Sequence, residues 1–387
     1  MAPDHRENAG PGAVEPGRFR YIDTLRGVAA LLVLWLHVAN SYRALSHETA
    51  AHARWLNDFV SAIDIGRVGV VVFFLISGFV IPFSIKAANG APIGSFAIRR
   101  VFRIYPAYWL SVPLAALVFY WAVGGTFTAG EVLVNLTLLQ DLLGVRYAEP
   151  VYWTLPVELA FYGLCIALVL ARSLGSARRI ALLCAALAAV HVFGVFMFWI
   201  GKPVLTIGLS FWALNLAAML WGTLYRLEPS GDPIARLAFR AVGIVVVVAM
   251  PLATALIGKS LPIYTVSYAL GFVLFIAGTR FIRIETRVTD WLGRISYSIY
   301  LFHPIVFQPI MIWLLAHPVG SAWRTQHLAV YLAANLVLTL AAASLVFRFV
   351  ERPMIRLGHR LATRYERYAS RRTPAHAADV AAEAATG

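Results

Sequence analysis

The first long apolar stretch of the chain is Leu25–Arg43, which reads LRGVAALLVLWLHVANSYR. A helix needs about 20 mostly apolar residues to cross the hydrocarbon core of a bilayer, and this stretch has that length. It also carries two ionisable side chains, Arg26 and His37, inside the apolar run. The stretch therefore predicts a membrane-spanning helix with polar groups in its interior.

The composition of the whole chain leads to the same class of protein. Of its 387 residues, 60% are hydrophobic and 13% are charged, whereas a soluble domain has about 25% charged residues. These proportions exclude a soluble globular enzyme, a disordered protein and a disulfide-stabilised scaffold. The two cysteines, Cys165 and Cys184, lie in apolar runs, so we expect neither a disulfide nor a cysteine metal site.

Several further stretches have the length and composition of a membrane span. The predicted fold is an all-α membrane protein with about ten transmembrane helices. A shorter, mixed run, Glu131–Leu143, predicts an amphipathic surface helix or a re-entrant piece. The predicted spans are Leu25–Arg43, Val68–Lys86, Ile104–Val123, Trp153–Ala171, Arg179–Trp199, Pro203–Leu224, Phe239–Ile257, Pro262–Thr279, Ile295–Ala316 and Leu328–Phe347.

The distribution of basic residues predicts the orientation of these spans. If both termini are cytoplasmic, 26 of the 33 Lys and Arg residues lie on the cytoplasmic side and seven on the outer side. Cytoplasmic loops carry an excess of Lys and Arg, so we expect both termini to be cytoplasmic. The net charge of +14 then reflects topology rather than nucleic-acid binding. We expect a disordered N-terminal segment (1–18), a transmembrane domain (19–358) and a basic, Ala-rich cytoplasmic tail (359–387).

Ionisable residues inside membrane spans are costly and usually serve a function. Arg26 and His37 are eleven residues apart, and at about 100° per residue they share one helix face. His37 then lies about 16 Å further along the helix, near the bilayer midplane. This stripe predicts a channel that reaches inwards from the cytoplasm. The alternative is a histidine that is hydrogen-bonded to a neighbouring helix and has no further role.

A second cluster, Arg100 and Arg103, lies one helical turn apart at the cytoplasmic end of the third span. Two guanidinium groups at this spacing can converge on one anion, and guanidinium binds phosphate in a bidentate way. The alternative is a positively charged anchor at the entrance of a span.

The fourth span begins with Trp153–Glu158. Thr154 is a candidate cap for this helix, and Glu158 lies near the first turn, where the helix dipole favours a carboxylate. These two structural roles are sufficient to explain why Thr154 and Glu158 stand at the start of this helix. The functional hypothesis is that Glu158 faces the cavity from the outer side and orients a substrate or His37.

Two further features lie in the last spans. His303 is expected at a depth similar to that of His37, next to a kink at Pro304. His303 is either part of a cavity wall or a histidine whose ring nitrogens form hydrogen bonds with neighbouring helices. For Glu351 and Arg352, which are adjacent at the end of the tenth span, we favour an ion pair between neighbours.

Other chemistries lack their motifs in this sequence. It contains no Gly-x-Ser-x-Gly nucleophile elbow and no phosphate-binding P-loop. It also lacks a His-Glu-x-x-His motif or a close Cys/His cluster, so no metal is expected.

Six strings of this sequence resemble, in order, those of the acyltransferase 3 family of multi-pass membrane acyltransferases. The resemblance runs over about residues 19–356. The strings are YIDTLRGVAA (21–30) with His37, FFLISGF (73–79), RVFRIYP (100–106), Trp153–Glu158 with Phe161 and Tyr162, Gly293–His303, and Glu351–Pro353.

The resemblance implies an O-acyltransferase of the bacterial inner membrane, in the stand-alone form of the family. Such an enzyme transfers an acyl group, usually acetyl, from acyl-CoA to a hydroxyl of a glycan or other carbohydrate-containing acceptor. Its partners would be acyl-CoA, the acceptor and the bilayer, with no nucleic acid.

The resemblance also implies roles for single residues. The family's Arg-x10-His pattern falls on Arg26 and His37, and its Arg-x-x-Arg pattern falls on Arg100 and Arg103. His37 would be the general base or would itself be transiently acylated, and Arg26 would assist the donor. Glu158 would position the acceptor or His37, the arginine pair would bind the phosphates of CoA, and His303 is a reserve candidate for proton relay. The competing hypothesis is a transporter or flippase of a carbohydrate or lipid-linked substrate, which would use the same residues as a pathway.

Overall fold

The computed structural model describes residues 19–45, 58–60, 62–85, 92–204, 206–227, 233–255, 257 and 262–384. Within these residues the regular structure is helical throughout, which confirms the all-α prediction. The expected disorder of residues 1–18 concerns residues that lie outside the described ranges.

Thirteen α-helices follow one another along the described chain, joined by short 3-10 and π-helical turns. They are α1 (Arg20–Leu45), α2 (Ile65–Val80), α3 (Pro92–Val123), α4 (Ala129–Thr137), α5 (Thr154–Leu170), α6 (Ala177–Trp199), α7 (Ile207–Leu227), α8 (Pro233–Ile244), α9 (Met250–Ala255), α10 (Ser267–Ile276), α11 (Arg287–Leu315), α12 (Leu328–Val346) and α13 (Arg352–Ala384). Two 3-10 turns matter for the site, Pro82–Ser84 and Pro150–Trp153, as does the π turn Phe347–Glu351.

Nine helical runs in the described part of the chain are long and apolar enough to cross a membrane. Each coincides with a predicted span, and the predicted span missing from the nine is Pro203–Leu224, which α7 occupies. α7 has 21 residues, about 31 Å of helix, which is sufficient to cross the hydrocarbon core. Buried polar side chains on α7 lower its hydropathy, among them Asn215 and Thr223.

These polar side chains find partners inside the bundle. The Thr223 hydroxyl donates to the carbonyl of Gly78 at 3.0 Å, and the Tyr268 hydroxyl donates to the Asn215 side chain at 2.8 Å. α7 also lies directly against α2, because a Cβ added at Gly78 would meet the Met219 carbonyl oxygen at 1.7 Å. α7 is therefore a core helix of the bundle.

Ion pairs between side chains join α1 to α11 and α3 to α13. Arg20, at the start of α1, pairs with Asp290, near the start of α11, at 2.7 Å. Arg99, in the first turns of α3, pairs with Glu366 of α13 at 3.1 Å. Since α1 and α11 begin at the same end, the chain crosses the bundle an even number of times before α11 starts. Seven of the nine runs precede α11, so α7 supplies the eighth crossing and brings the total to ten. We call this end the inner end; its cytoplasmic location stays a prediction from the charge distribution.

The segments outside the spans differ from the sequence-based expectation in detail. The run expected to be an amphipathic or re-entrant piece begins with the short helix α4, whose first turn carries a capping box between Thr128 and Glu131. Arg146 binds the Glu131 carboxylate at 2.7 Å and holds its pKa at about 2. At the other end of the chain, α13 extends through most of the tail, and its Gly358 packs against Phe102 of α3.

Candidate active site

Two cavities lie between α1, α2, α5 and α11. The inner cavity, about 60 Å³, is lined by Arg26, Phe73, Glu158 and Tyr297, among others. The outer cavity, about 190 Å³, is lined by His37, Asp64, Arg67 and Trp153, among others. Two residues, Val70 and Tyr300, belong to the walls of both cavities. The cavities are therefore neighbours along the bundle and have a common boundary.

A single helix carries an ionisable group into each cavity. Arg26 and His37 lie on the uninterrupted helix α1, Arg26 in the inner cavity and His37 in the outer cavity. The predicted common face of these two residues is thus confirmed. At 1.5 Å per residue the two Cα atoms are about 16 Å apart, so the two side chains serve different parts of the site.

His37 lies against a second histidine. The ring centroids of His37 and His303 are 5.1 Å apart, and Phe307 packs beside both rings, at 6.1 Å and 6.3 Å. The predicted similar depth of the two histidines is therefore confirmed. Ten residues earlier on each helix α1 and α11 also pack closely, since a Cβ at Gly27 would meet the Leu292 side chain at 2.8 Å and one at Gly293 would meet the Asp23 carbonyl oxygen.

The hydrogen bonds of His303 define the state of its ring. Its Nδ1 lies 3.1 Å from the carbonyl oxygen of Ile299. Since a carbonyl only accepts, Nδ1 carries the proton of the neutral ring. Nε2 of His303 is buried and has no hydrogen-bond partner among the described residues. In this tautomer Nε2 is a hydrogen-bond acceptor without a donor among the described residues.

The start of α2 supplies a charged pair that sequence analysis missed. Asp64 caps α2 by accepting from the Arg67 backbone N–H at 2.7 Å, and its other oxygen accepts from Arg67 Nε at 3.2 Å. The Arg67 guanidinium also lies over the Tyr264 ring, 4.3 Å from its centroid. The signal was an Asp-x-x-Arg at the start of the second apolar stretch, a typical helix N-terminus.

Glu158 lies in the inner cavity with Arg26, so the prediction that it faces the cavity from the outer side is wrong. The reason is that α5 starts deep in the bundle, beside Tyr300, which lies midway along α11. The Thr154 hydroxyl is 2.9 Å from the Tyr300 hydroxyl. Thr154 is therefore not the helix cap either; that position is taken by Trp153, without a side-chain hydrogen bond.

The inner cavity brings opposite charges together. The Tyr162 hydroxyl donates to the Glu158 carboxylate at 2.6 Å. Nε of Arg26 is buried and lacks a hydrogen-bond partner in the described part of the chain. A buried N–H without a partner costs about 1–3 kcal/mol. A ligand in the inner cavity could therefore accept a hydrogen bond from Nε of Arg26.

Arg100 and Arg103 lie next to the inner cavity, each beside a tyrosine. Arg100 donates to the Ser84 hydroxyl at 2.8 Å and lies 5.3 Å from the Tyr162 ring centroid. Arg103 lies 5.8 Å from the ring centroid of Tyr297, which lines that cavity. The pair is therefore near the inner cavity, and each arginine is already engaged.

The partner of Arg103 is Glu351, across 248 positions of sequence. Glu351 is 1% exposed, and its second oxygen accepts from the Ser298 hydroxyl at 2.7 Å. The predicted ion pair between Glu351 and Arg352 is wrong. Neighbouring residues of a helix point in different directions, and here Glu351 points into the bundle while Arg352 is exposed.

A protein-family model matches most of the chain. The family model described as "Acyltransferase domain", that of acyltransferase 3, matches residues 19–348. The chain belongs to the acyltransferase 3 family. The match begins at the start of α1 and ends in the π turn after α12, so it covers both cavities. The chain is accordingly a multi-pass membrane acyltransferase, which transfers an acyl group other than aminoacyl between a donor and an acceptor.

Three curated proteins are similar to this acyltransferase. The Komagataeibacter xylinus protein BcsY, named a candidate membrane-bound transacylase, is 26% identical over 74% of this chain and 72% of its own length. Nodulation protein 10 of Rhizobium leguminosarum bv. viciae is 30% identical over 38% of this chain and 43% of its own length. Acyltransferase MdmB of Streptomyces mycarofaciens is 28% identical over 36% of each chain. No solved structure matches the chain.

The described part of this acyltransferase has no cluster of three or more His, Cys, Asp or Glu side chains placed to hold a metal ion. Cys165 and Cys184 are buried free thiols. The side chains that line the cavities carry imidazole, carboxylate, guanidinium, hydroxyl and indole groups.

Proposed function

We propose that this protein is an O-acyltransferase of the bacterial inner membrane that moves an acyl group, in the simplest case acetyl, from acyl-CoA to a hydroxyl of a carbohydrate-containing acceptor. The observation that carries the proposal is the pair of adjoining cavities, with Arg26 in the inner one and His37 in the outer one. Donor and acceptor would enter from opposite ends and meet at His37.

The donor would bind at the inner end. CoA carries phosphates on a long flexible arm, and the phosphates match the guanidinium groups of Arg100 and Arg103. Because Arg103 is paired with Glu351, donor binding would exchange one anionic partner for another. Arg26 would bind the arm inside the inner cavity through its Nε, which has no hydrogen-bond partner among the described residues. Arg26 is about 16 Å from His37 along α1, which is too far to touch the reacting carbonyl.

The outer cavity supports a polar acceptor with hydroxyl groups. Asp64 and Arg67 supply a carboxylate and a guanidinium group, and Trp153 supplies an aromatic surface, all in the wall that contains His37. A carboxylate accepts hydrogen bonds from hydroxyl groups, and an aromatic ring packs against an apolar sugar face.

The reaction would place the acceptor hydroxyl beside His37. His37, as general base, takes the hydroxyl proton while the oxygen attacks the thioester carbonyl carbon. The C–O bond forms, the C–S bond breaks, and the leaving thiolate takes up the proton to give free CoA. His303, 5.1 Å away, would accept or return that proton through its free Nε2. In the alternative with an acyl-histidine, His37 attacks the thioester first and the acceptor then attacks the acyl-imidazole.

The test is acyl transfer by the purified protein in lipid nanodiscs, without any transmembrane gradient. Radiolabelled acetyl-CoA and a carbohydrate-rich extract of the cell envelope are the substrates, and label in the glycan fraction is the readout. We expect transfer by the wild type and none by His37→Ala, with equal amounts of both proteins in the membrane. Full transfer by His37→Ala would overturn the assignment of the base. A single-turnover reaction without acceptor that leaves label on the protein would favour the acyl-histidine route.

The second candidate is a transporter or flippase, which the two aligned cavities on one helix face also fit. Such a protein would move an unmodified substrate between the faces of a sealed vesicle and would not consume acyl-CoA. Release of free CoA in the gradient-free assay therefore separates the two candidates.

A further inference from the structure

The boundary between the two cavities consists of Tyr300 of α11 and Val70 of α2, the residues common to both walls. We call this boundary the neck. Under the proposed function, the thioester carbonyl and the acceptor hydroxyl must come within bonding reach of each other at His37, on the outer side of the neck. The acyl group must therefore pass the neck while the CoA arm stays in the inner cavity.

The Tyr300 side of the neck is held in place. The Tyr300 hydroxyl donates to the Val151 carbonyl at 2.7 Å and lies 2.9 Å from the Thr154 hydroxyl. Its ring packs edge-on against Phe73, with centroids 5.9 Å apart. A buried tyrosine with both hydrogen bonds and a ring partner has little freedom to swing aside.

The backbone on the other side of the neck is held as well. A Cβ added at Gly69 would meet the Ala29 carbonyl oxygen at 2.5 Å, and one added at Gly66 would meet the Leu36 side chain at 2.6 Å. On the opposite face of α2, a Cβ at Gly271 would meet the Val71 side chain at 2.7 Å. α2 is therefore packed between α1 and α10, so the space at the neck depends on the side chain at position 70.

We propose that Val70 sets the largest acyl group that this enzyme transfers, by fixing the width of the neck opposite Tyr300. The inference rests on the proposed function and deepens it, since it names the donor class as short-chain acyl-CoA. Because Tyr300 is held in place, each methylene added to the acyl group must pass beside the Val70 side chain, so short acyl groups pass the neck most readily.

The test compares kcat/KM for acetyl-, propionyl-, butyryl- and hexanoyl-CoA in nanodiscs. Val70→Ala removes two methyl groups from the neck, and the butyryl-to-acetyl ratio should rise at least about tenfold, the range for one or two methylenes in an apolar pocket. Val70→Leu should lower the same ratio. Val70→Thr keeps the shape of valine and should keep the wild-type ratio.

Val72→Ala is the matched control, because it removes the same atoms from the same helix at a position that lines neither cavity. Its butyryl-to-acetyl ratio should equal that of the wild type. An unchanged ratio in Val70→Ala would overturn the inference, as would an equal rise in Val72→Ala. Folded Val70→Ala that has lost all transfer would also overturn it, because a wider neck does not obstruct acetyl. Failure of the proposed function looks different: the wild type itself would then transfer none of the four acyl groups.

Discussion

His37 and His303 lie side by side across the interface of α1 and α11, with ring centroids 5.1 Å apart. His37 faces the outer cavity, and His303 is fully buried, with no hydrogen-bond partner for its Nε2 among the described residues. Of the two rings, only that of His37 lines the outer cavity. This relationship separates the expected roles of the two histidines.

His37→Ala should lower kcat by about 10²–10⁴-fold, the range for loss of a general base, while the amount of folded protein is unchanged. Initial rates at saturating acyl-CoA and acceptor measure the effect. His191→Asn is the control, because His191 is buried elsewhere, between the Ser210 and Met250 carbonyls. It should reduce thermal stability and keep kcat within about twofold. Equal losses of kcat in both variants would contradict the role of His37 as general base.

His303→Asn should lower kcat less than His37→Ala, by about tenfold, because a relay assists the base without replacing it. The distinguishing readout is the pH–rate profile, whose shape depends on the groups that carry the proton. A relay predicts a changed profile and a changed solvent isotope effect. A merely structural His303 predicts a lower protein yield with an unaltered profile.

The Arg103–Glu351 pair predicts an asymmetric effect on stability. Arg103→Ala leaves a carboxylate whose side chain is 1% exposed, whereas Glu351→Ala leaves a guanidinium side chain that is 22% exposed. Arg103→Ala should therefore cost about 3–5 kcal/mol, and Glu351→Ala should cost less. Adding Glu351→Gln to Arg103→Ala should restore part of the loss, because the buried charge disappears. Thermal unfolding in detergent measures these proteins together with Glu351→Gln alone, and additive effects of Arg103→Ala and Glu351→Gln would contradict the pairing.

Glu149 predicts a pH dependence of stability. Its side chain is 2% exposed and accepts from Gln308 Nε2 at 2.9 Å, just outside the span that begins at Pro150. Burial raises its pKa from 4.5 to about 7, although the Gln308 hydrogen bond acts in the opposite direction. Between these two pKa values the folded protein holds a proton that the unfolded chain releases, so stability falls as the pH rises. The apparent Tm of the wild type should fall between about pH 5 and pH 8.

Glu149→Gln should flatten that fall, because the amide does not titrate. Glu131→Gln is the control. The pKa of Glu131 is lowered to about 2, so its contribution to stability is lost only at pH values below those of the experiment. If the apparent Tm of Glu149→Gln falls with pH as steeply as that of the wild type, titration of Glu149 is not the cause of the fall.

The packing of α2 on α7 predicts a large effect of one methyl group. Gly78→Ala would place a Cβ 1.7 Å from the Met219 carbonyl oxygen, a backbone atom that cannot rotate away. We expect a loss of at least about 1–3 kcal/mol from overpacking, read as reduced accumulation and a lower Tm. Gly163→Ala is the matched control, since nothing lies within 4 Å of its added Cβ, and it should be neutral or slightly stabilising. Equal stability of the two variants would contradict the close packing.

Features that depend on one helix were predictable from the sequence. The common face of Arg26 and His37 follows from the helical repeat, and the similar depth of His37 and His303 follows from the rise per residue. Both quantities are fixed by local hydrogen bonding. The family resemblance likewise depended on strings of adjacent residues.

Features that depend on how helices meet were not predictable. Nothing local to Glu158 reveals that the turn Pro150–Trp153 starts α5 deep in the bundle. The pairing of Arg103 with Glu351 joins positions that are far apart in the sequence, and the favoured neighbour Arg352 is exposed. The common role of Val70 and Tyr300 as a boundary also needs the three-dimensional arrangement of α2 and α11, which touch through the rings of Phe73 and Tyr300.

The buried polar side chains of α7 have a consequence for the biosynthesis of this protein in the membrane. Asn215 receives its hydrogen bond from Tyr268, which follows it by 53 residues. When α7 leaves the ribosome, the helix that will satisfy Asn215 has not been made, whereas α2, with the Gly78 carbonyl for Thr223, is already present. We therefore expect earlier helices such as α2 to hold α7 in the bilayer until α10 arrives, and a truncation between α7 and α10 to leave α7 less firmly held.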